Sequence, residues 1–140
     1  MKTFNGSIAR ASKGNNHILD ITDDVQRLVE EGGVRTGQVV AMVVGSTAGL
    51  TTLEFEPGLV NHDIAAAMER IAPKGGDYRH EQTWHDDNGH SHVRAALMGP
   101  SLALPVVEGR VPLGTWQQVV LVDFDTRPRQ RQVVVTIVGD

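Results

Sequence analysis

Four of the chain's six histidines fall in one segment, Arg79–His92 (RHEQTWHDDNGHSH), beside Glu81, Asp86, Asp87 and Asn88. Imidazole and carboxylate exchange protons near neutral pH, and they bind divalent ions through nitrogen and oxygen. His90 and His92 stand two apart in what reads as the start of a strand. Side chains at i and i+2 of a strand share a face, so both rings could meet one ion. His80 and His85 precede them in a polar loop, with Glu81, Asp86 and Asp87 in reach of the same space. The spacing matches no standard zinc motif. A shared metal or anion site therefore stands against a plainer reading, a solvated polar loop.

A second group lies in GSTAGLTT, residues 45–52. Gly45 and Gly49 let the backbone turn, and Ser46, Thr47, Thr51 and Thr52 supply hydroxyls and amides of the kind that cradle phosphate. The Gly-Lys-Ser/Thr ending of a P-loop and the GxGxxG of a dinucleotide site are both missing, so a strand end with a polar turn explains the segment equally. Glu54 and Glu56 alternate with Leu53 and Phe55 as on an exposed strand face. Asp63 opens a helix, where the dipole favours it by about 0.3–1 kcal/mol without any function. Gly114 precedes Trp116, a core or interface aromatic, with Gln117 pointing the other way. No Ser-His-Asp order or nucleophile elbow emerges from the spacing.

The elements that position these residues follow from periodicity. TFNGSIARAS and NNHILDIT alternate as two strands, joined as a hairpin around SKGNN. Thr22 reads as the N-cap of a helix carrying Val25, Leu28 and Val29 on one face and ending at Gly32-Gly33. The apolar run Val39–Val44 predicts a strand buried on both faces. A second helix is predicted from about Asn61 to Ile71, stopped by Pro73 and Gly75-Gly76. From His90 onward HSHVRAALM, SLALPVV, TWQQVVLVDF and RQVVVTIV all read as strands. The order is ββαβα and then several strands, an α+β fold with a mostly antiparallel β-sandwich core and two helices.

Composition sets the limits. The chain has 140 residues, 40% hydrophobic and 21% charged, with a formal net charge of -4, which fits one soluble domain over residues 1–140. The only basic cluster, RPRQR at 127–131, reads as a solvated turn, so no nucleic-acid partner is expected. There are no cysteines, so thiolate metal sites and disulfides are excluded. Neither a leader-like apolar segment nor a membrane-spanning run is present, and a cytoplasmic protein without a membrane partner is expected.

STAGLTTLE, NGHSHVRAALMGPS, LPVVEGRVPLGTWQQVVLVDFD and RPRQRQVVVTIVG together resemble the YjbQ-like family, also called the secondary thiamine-phosphate synthase family, over nearly the whole chain. The resemblance implies a compact α+β homotrimer with a polar pocket near the subunit boundary. That pocket is lined by the residues matching here Glu54, Asp63, His80, Asn88, His92, Trp116 and Gln117. It implies catalytic roles for Asp63, His80, His92 and Glu54. Ligand binding falls to Ser46, Thr47, Thr51, Asn88 and Gln117, and a divalent metal, Mg²⁺ or Zn²⁺, to His80, His92 and Asp63. Many relatives carry a histidine where this chain has Gly45, which removes one donor from the family pattern. His90 occupies a position that looks variable in the family and ranks below His80 and His92.

The implied reaction joins hydroxymethylpyrimidine diphosphate to thiazole phosphate with loss of pyrophosphate, which calls for a cationic clamp on the leaving group. Beyond Arg79, Arg94 and the arginines at 127–131 the chain offers little of one, and the synthase activity reads as a side activity. Two further readings accompany it: a metal-dependent hydrolase of a small substrate, and a non-catalytic trimer that binds a metal or a small phosphorylated metabolite.

Overall fold

A computed structural model describes residues 1–140. Seven strands and four helices follow in the order β1 (Lys2–Ser12), β2 (His17–Asp20), α1 (Thr22–Gly32), β3 (Thr36–Val43), β4 (Ala48–Leu53), a π turn (Leu59–Asp63) leading into α2 (Ile64–Ile71), α3 (His80–Trp84), α4 (Gly89–Met98), β5 (Ser101–Val107), β6 (Gln118–Asp123) and β7 (Arg129–Gly139). The strands form two antiparallel sheets, β1-β7-β3-β5 and β2-β6-β4. The α+β class with a largely antiparallel sandwich is the architecture observed.

The main core lies between the sheets. Ile8, Val39, Val43, Val133, Val135 and Ile137 of the first sheet meet Leu50, Val119 and Leu121 of the second, and Val25, Leu28 and Val29 of α1 pack into the same cluster. β6 is apolar on both faces. Its alternate residues Val120 and Val122, with Phe124 just beyond its end, form a smaller core with Ile18 and Ala95, against which Ile64, Met68 and Met98 pack. The helices α2 and α4 thus cover the outer side of the second sheet. Nothing covers the outer side of the first.

Several local expectations are corrected. β1 pairs with β7 and β2 with β6, so the two opening strands belong to different sheets and make no hairpin. The run Val39–Val44 alternates between buried and exposed residues, leaving Val40, Met42 and Val44 at 37%, 42% and 48% exposure. Ile21 rather than Thr22 occupies the N-cap of α1, while Asp20 Oδ1 accepts from the Thr22 backbone N–H at 3.0 Å and hydroxyl at 2.6 Å. Gly33 closes that helix in the left-handed region at φ 62°.

The largest difference is HSHVRAALM, which forms helix α4 rather than a strand. Arg94, Ala95, Ala96, Leu97 and Met98 are all strong helix formers, and Ala95 and Met98 pack as one helix face on the outer side of the second sheet. On a helix, residues two apart point about 200° apart, so His90 and His92 face opposite ways. His90 is buried at 2% exposure while His92 is half-buried.

Candidate functional site

The short helix α3 is held against the start of α4 by one contact. Glu81 Oε1 accepts from the Gly89 backbone N–H at 2.7 Å, which satisfies a free donor of the helix end. A Cβ at Gly89 would stand 2.5 Å from that oxygen and from Tyr78 Cβ, so only glycine permits the approach. This docking brings His80 of α3 beside His92 of α4, with ring centroids 4.4 Å apart and the planes tilted by 50°. His80 Nε2 lies 3.2 Å from Asp86 Oδ1.

Asn88 sits under this pair, buried at 8% exposure. With its amide turned one way, Nδ2 donates to Asp86 at 3.0 and 3.2 Å and approaches His80 Nε2 at 3.2 Å. Turned the other way it donates to Asp125 Oδ1 at 3.4 Å. The first orientation gives the shorter bonds and is the one the surrounding acceptors favour. Asn88 therefore stands between the histidine pair above it and a buried ionic network below, and in this orientation its amide bonds on the side of the pair.

That network fills one end of the sandwich. Arg131 Nε donates to Asp123 Oδ2 at 2.6 Å, and its Nη2 donates to Asp123 Oδ1 at 2.8 Å and Thr47 Oγ1 at 2.7 Å. Ser12 Oγ donates to Asp123 Oδ2 at 2.5 Å, and Thr47 Oγ1 donates to Asp125 Oδ2 at 3.1 Å. Arg129 Nε reaches Asp125 Oδ2 at 2.8 Å. Burial by itself would raise both carboxyls. The hydrogen bonds from Arg131 and Ser12 to Asp123, and from Thr126 and Arg129 to Asp125, outweigh it and hold both below the usual range. The bond to Asp123 in turn raises Arg131. The segment RPRQR, read as a solvated turn, instead supplies two of these ionic partners. The signal that marks them is alternation, since Arg129, Arg131 and Val133 share one face of β7.

The cleft beside this end encloses about 370 Å³ and is lined by Gly45, Ser46, Ala48, His92, Ala95, Ala96 and Pro100. Of the residues expected to bind ligand, Ser46 is exposed on the cleft, while the Thr47 side chain is spent in the network. Thr51 stands within β4, opposite Val120.

Other expected residues lie elsewhere. β4 runs from Ala48 to Leu53 and spans roughly 20 Å at about 3.3 Å per residue. Ser46 and Thr47 precede one end of it and Glu54 follows the other, exposed to solvent. Gln117 belongs to the Glu54 end, where its Nε2 donates to Thr52 Oγ1 at 3.0 Å and its Oε1 accepts from the Gly114 N–H at 3.1 Å. Trp116 is 72% exposed and takes no part in a core.

Asp63 faces solvent in the π turn, 2.9 Å from His62 Nδ1. No three His, Asp or Glu side chains are grouped to hold an ion, so the donor set His80, His92 and Asp63 does not fit a metal within one protomer. His85 caps α3 in the left-handed region at φ 54° and is exposed.

His90 lies inside, near Tyr78 at 6.3 Å between ring centroids, and its Nδ1 has no hydrogen-bond partner. Burial, followed by the charges of Arg94 and Lys74, lowers its pKa below the ordinary imidazole value.

Comparison with known proteins places these features in context. A family profile described as "UPF0047 protein YjbQ-like" matches residues 7–140. A UPF0047 protein of Archaeoglobus fulgidus is 41% identical over 84% of this chain and 88% of its own length. The UPF0047 protein YjbQ of Escherichia coli O157:H7 is 31% identical over 86% and 87%. Among solved structures, a YbjQ-like protein of unknown function from Sulfolobus solfataricus superposes with a TM-score of 0.86 at 30% identity, covering 99% of each chain.

These relatives carry no activity in their names, and the expectation of thiamine-phosphate synthesis is corrected on that finding. The arginines agree with the correction. Arg94 is committed to Glu69 Oε2 at 2.7 Å, Asn16 Oδ1 at 2.9 Å and the Ala72 carbonyl at 2.9 Å, while Arg129 and Arg131 are tied to Asp125 and Asp123. A clamp for a leaving pyrophosphate is not assembled from them.

Proposed function

This chain belongs to the YjbQ-like family, and on that premise we propose that it is a homotrimer that binds a small phosphorylated metabolite beside His80 and His92 and exchanges a proton with it. The observation that carries the reading is the histidine pair itself. Two imidazoles from different helices are in ring contact, one has a carboxylate 3.2 Å away, and the other opens onto a cleft. Asp86 lies against His80, and His80 buttresses His92, so the ring facing the cleft is fixed in direction.

Two observations favour assembly. The outer face of the first sheet carries Val40, Met42 and Val134, adjacent across the β3–β7 ladder and each at least 36% exposed. Val93 and Leu97 add exposed apolar surface on α4, beside the cleft. The expected site residues also divide between two ends of one protomer, with Glu54, Trp116 and Gln117 far from His80, Asn88 and His92. In a closed ring, the Glu54 end of one copy is free to meet the histidine end of the next.

A thermal-shift screen against small phosphorylated and carboxylated metabolites tests the binding. Wild-type protein is expected to respond to a phosphorylated compound, with the response lost in His80→Gln and His92→Gln while both variants keep the wild-type circular dichroism. A response unchanged in both variants would reject the histidine pair as the binding element.

A further inference from the structure

We infer that the Nη1 end of Arg131, left uncovered at Gly45, is an oxyanion subsite of the same cleft that receives one phosphate group of the ligand. A guanidinium carries five N–H donors. In Arg131 the Nε donor goes to Asp123, and the two on Nη2 go to Asp123 and Thr47. The two on Nη1 have no acceptor in the protein. The residue is only 8% exposed, so its orientation is fixed by burial and by the paired bonds to Asp123. Yet Nη1 is not sealed in: the buried side-chain atoms without partners are His90 Nδ1 and Ser91 Oγ alone. A fixed, charged donor therefore ends at a point that solvent reaches.

Gly45 defines that point. A Cβ there would stand 2.8 Å from Nη1, and the residue has φ +121°, a conformation that side-chain-bearing residues rarely adopt. Gly45 and Ser46 line the cleft together with His92, and Nη1 lies against Gly45, so the guanidinium edge adjoins the wall of the space that an exposed hydroxyl and an imidazole border. Thr47 cannot serve, because its hydroxyl already accepts from Arg131 and donates to Asp125.

The surrounding charge is balanced, with Arg129 and Arg131 against Asp123 and Asp125. A bound oxyanion is consequently held by directed hydrogen bonds more than by net charge. An affinity for inorganic phosphate on the order of 1 mM is expected from so few contacts.

The subsite rests on the cleft being a ligand site, but not on the histidine pair. The test is a titration of ¹⁵N-labelled full-length protein with inorganic phosphate at fixed pH and low ionic strength, with chloride as control. The signals followed are the Arg131 guanidinium and the Gly45 and Ser46 amides. Saturable shifts of all three, weakened at least tenfold in Gly45→Ala, are expected. The Arg131 Nε signal of that variant reports whether the pair with Asp123 persists, which separates blocked access from a disturbed fold.

Phosphate that leaves these signals unmoved in wild-type protein, or binds Gly45→Ala with unchanged affinity, overturns the subsite. Binding retained by His92→Gln but lost by Gly45→Ala supports the subsite and counts against the histidine reading. Binding lost in both supports the two together.

Discussion

His80 and His92 lie with ring centroids 4.4 Å apart although they belong to different helices, and the Glu81–Gly89 contact between those helices holds them there. Neither ring is deeply buried, so their positions depend on what lies beneath them. Asn88 is that support.

Asn88→Ala is expected to cost roughly 1–3 kcal/mol, the range for leaving buried polar partners unsatisfied. The change is read from urea unfolding. A second readout is the His80 ring resonance, expected to shift once the amide beneath Asp86 is gone. A loss of less than about 0.5 kcal/mol, with His80 unmoved, would remove Asn88 as the support of the pair.

Asp123→Ala leaves Arg131 buried with most of its hydrogen bonds unmade. Breaking one side of a buried pair costs about 3–5 kcal/mol, while replacing both sides with apolar groups recovers much of it. Asp123→Leu combined with Arg131→Met is therefore expected to be more stable than Asp123→Ala alone. Chemical denaturation of the two variants decides the matter, and equal stability would place the pair in a wetter setting than its burial indicates.

Stability is expected to fall in two stages on acidification. His90 has a folded pKa below its ordinary value of 6.5, set first by burial and then by Arg94 and Lys74, against smaller opposing effects of Glu69 and Asp87. The unfolded chain thus binds more protons as pH drops, and stability declines from about pH 6.5 downward until the folded-state value is passed. His17, also lowered by burial first, adds to the same stage.

Asp123 and Asp125 lie below their ordinary 3.8, so their contribution is present above that pH and is lost as pH falls through the folded values. In melting curves across pH, His90→Phe should flatten the upper stage and leave the lower one. An unchanged upper stage in that variant would mean that His90 is not the titrating group.

Val40→Lys with Met42→Lys places two charges on the open face of the first sheet, where β3 is already paired on both edges. The protomer fold should survive, since both side chains point away from the core. Light scattering is expected to give a trimer for wild-type protein and a smaller species for the variant. A monomeric wild type would leave the apolar face without this occupant.

Legibility differed from element to element. The first helix, with Val25, Leu28 and Val29 on one face and Gly33 beyond its end, follows from local periodicity and capping. β7 also reads directly, because one buried face imposes strict alternation. α4 misleads because HSHVRAALM has an apolar content that suits either state, and only its packing across the outer face of the second sheet selects the helix. On α4 His90 turns inside and no longer shares a face with His92, while His92 meets His80, the pair that the resemblance places in one pocket. The buried arginines misled in the same way, since RPRQR looks hydrophilic until Asp123 and Asp125 stand opposite.

Whole motifs carried the family resemblance, while residue types and periodicity by themselves determined an α+β antiparallel sandwich and a polar segment dense in imidazole. These are properties of composition and of short-range repeat, which a linear chain carries intact. Tertiary structure alone decided that His90 is buried away from His92, which carboxylates are buried with arginine, and that Glu54 and Gln117 stand a strand's length from His80. Those outcomes depend on contacts between distant segments, through the docking of α3 on α4 and the two-sheet division of β1 and β2, and no local pattern encodes them.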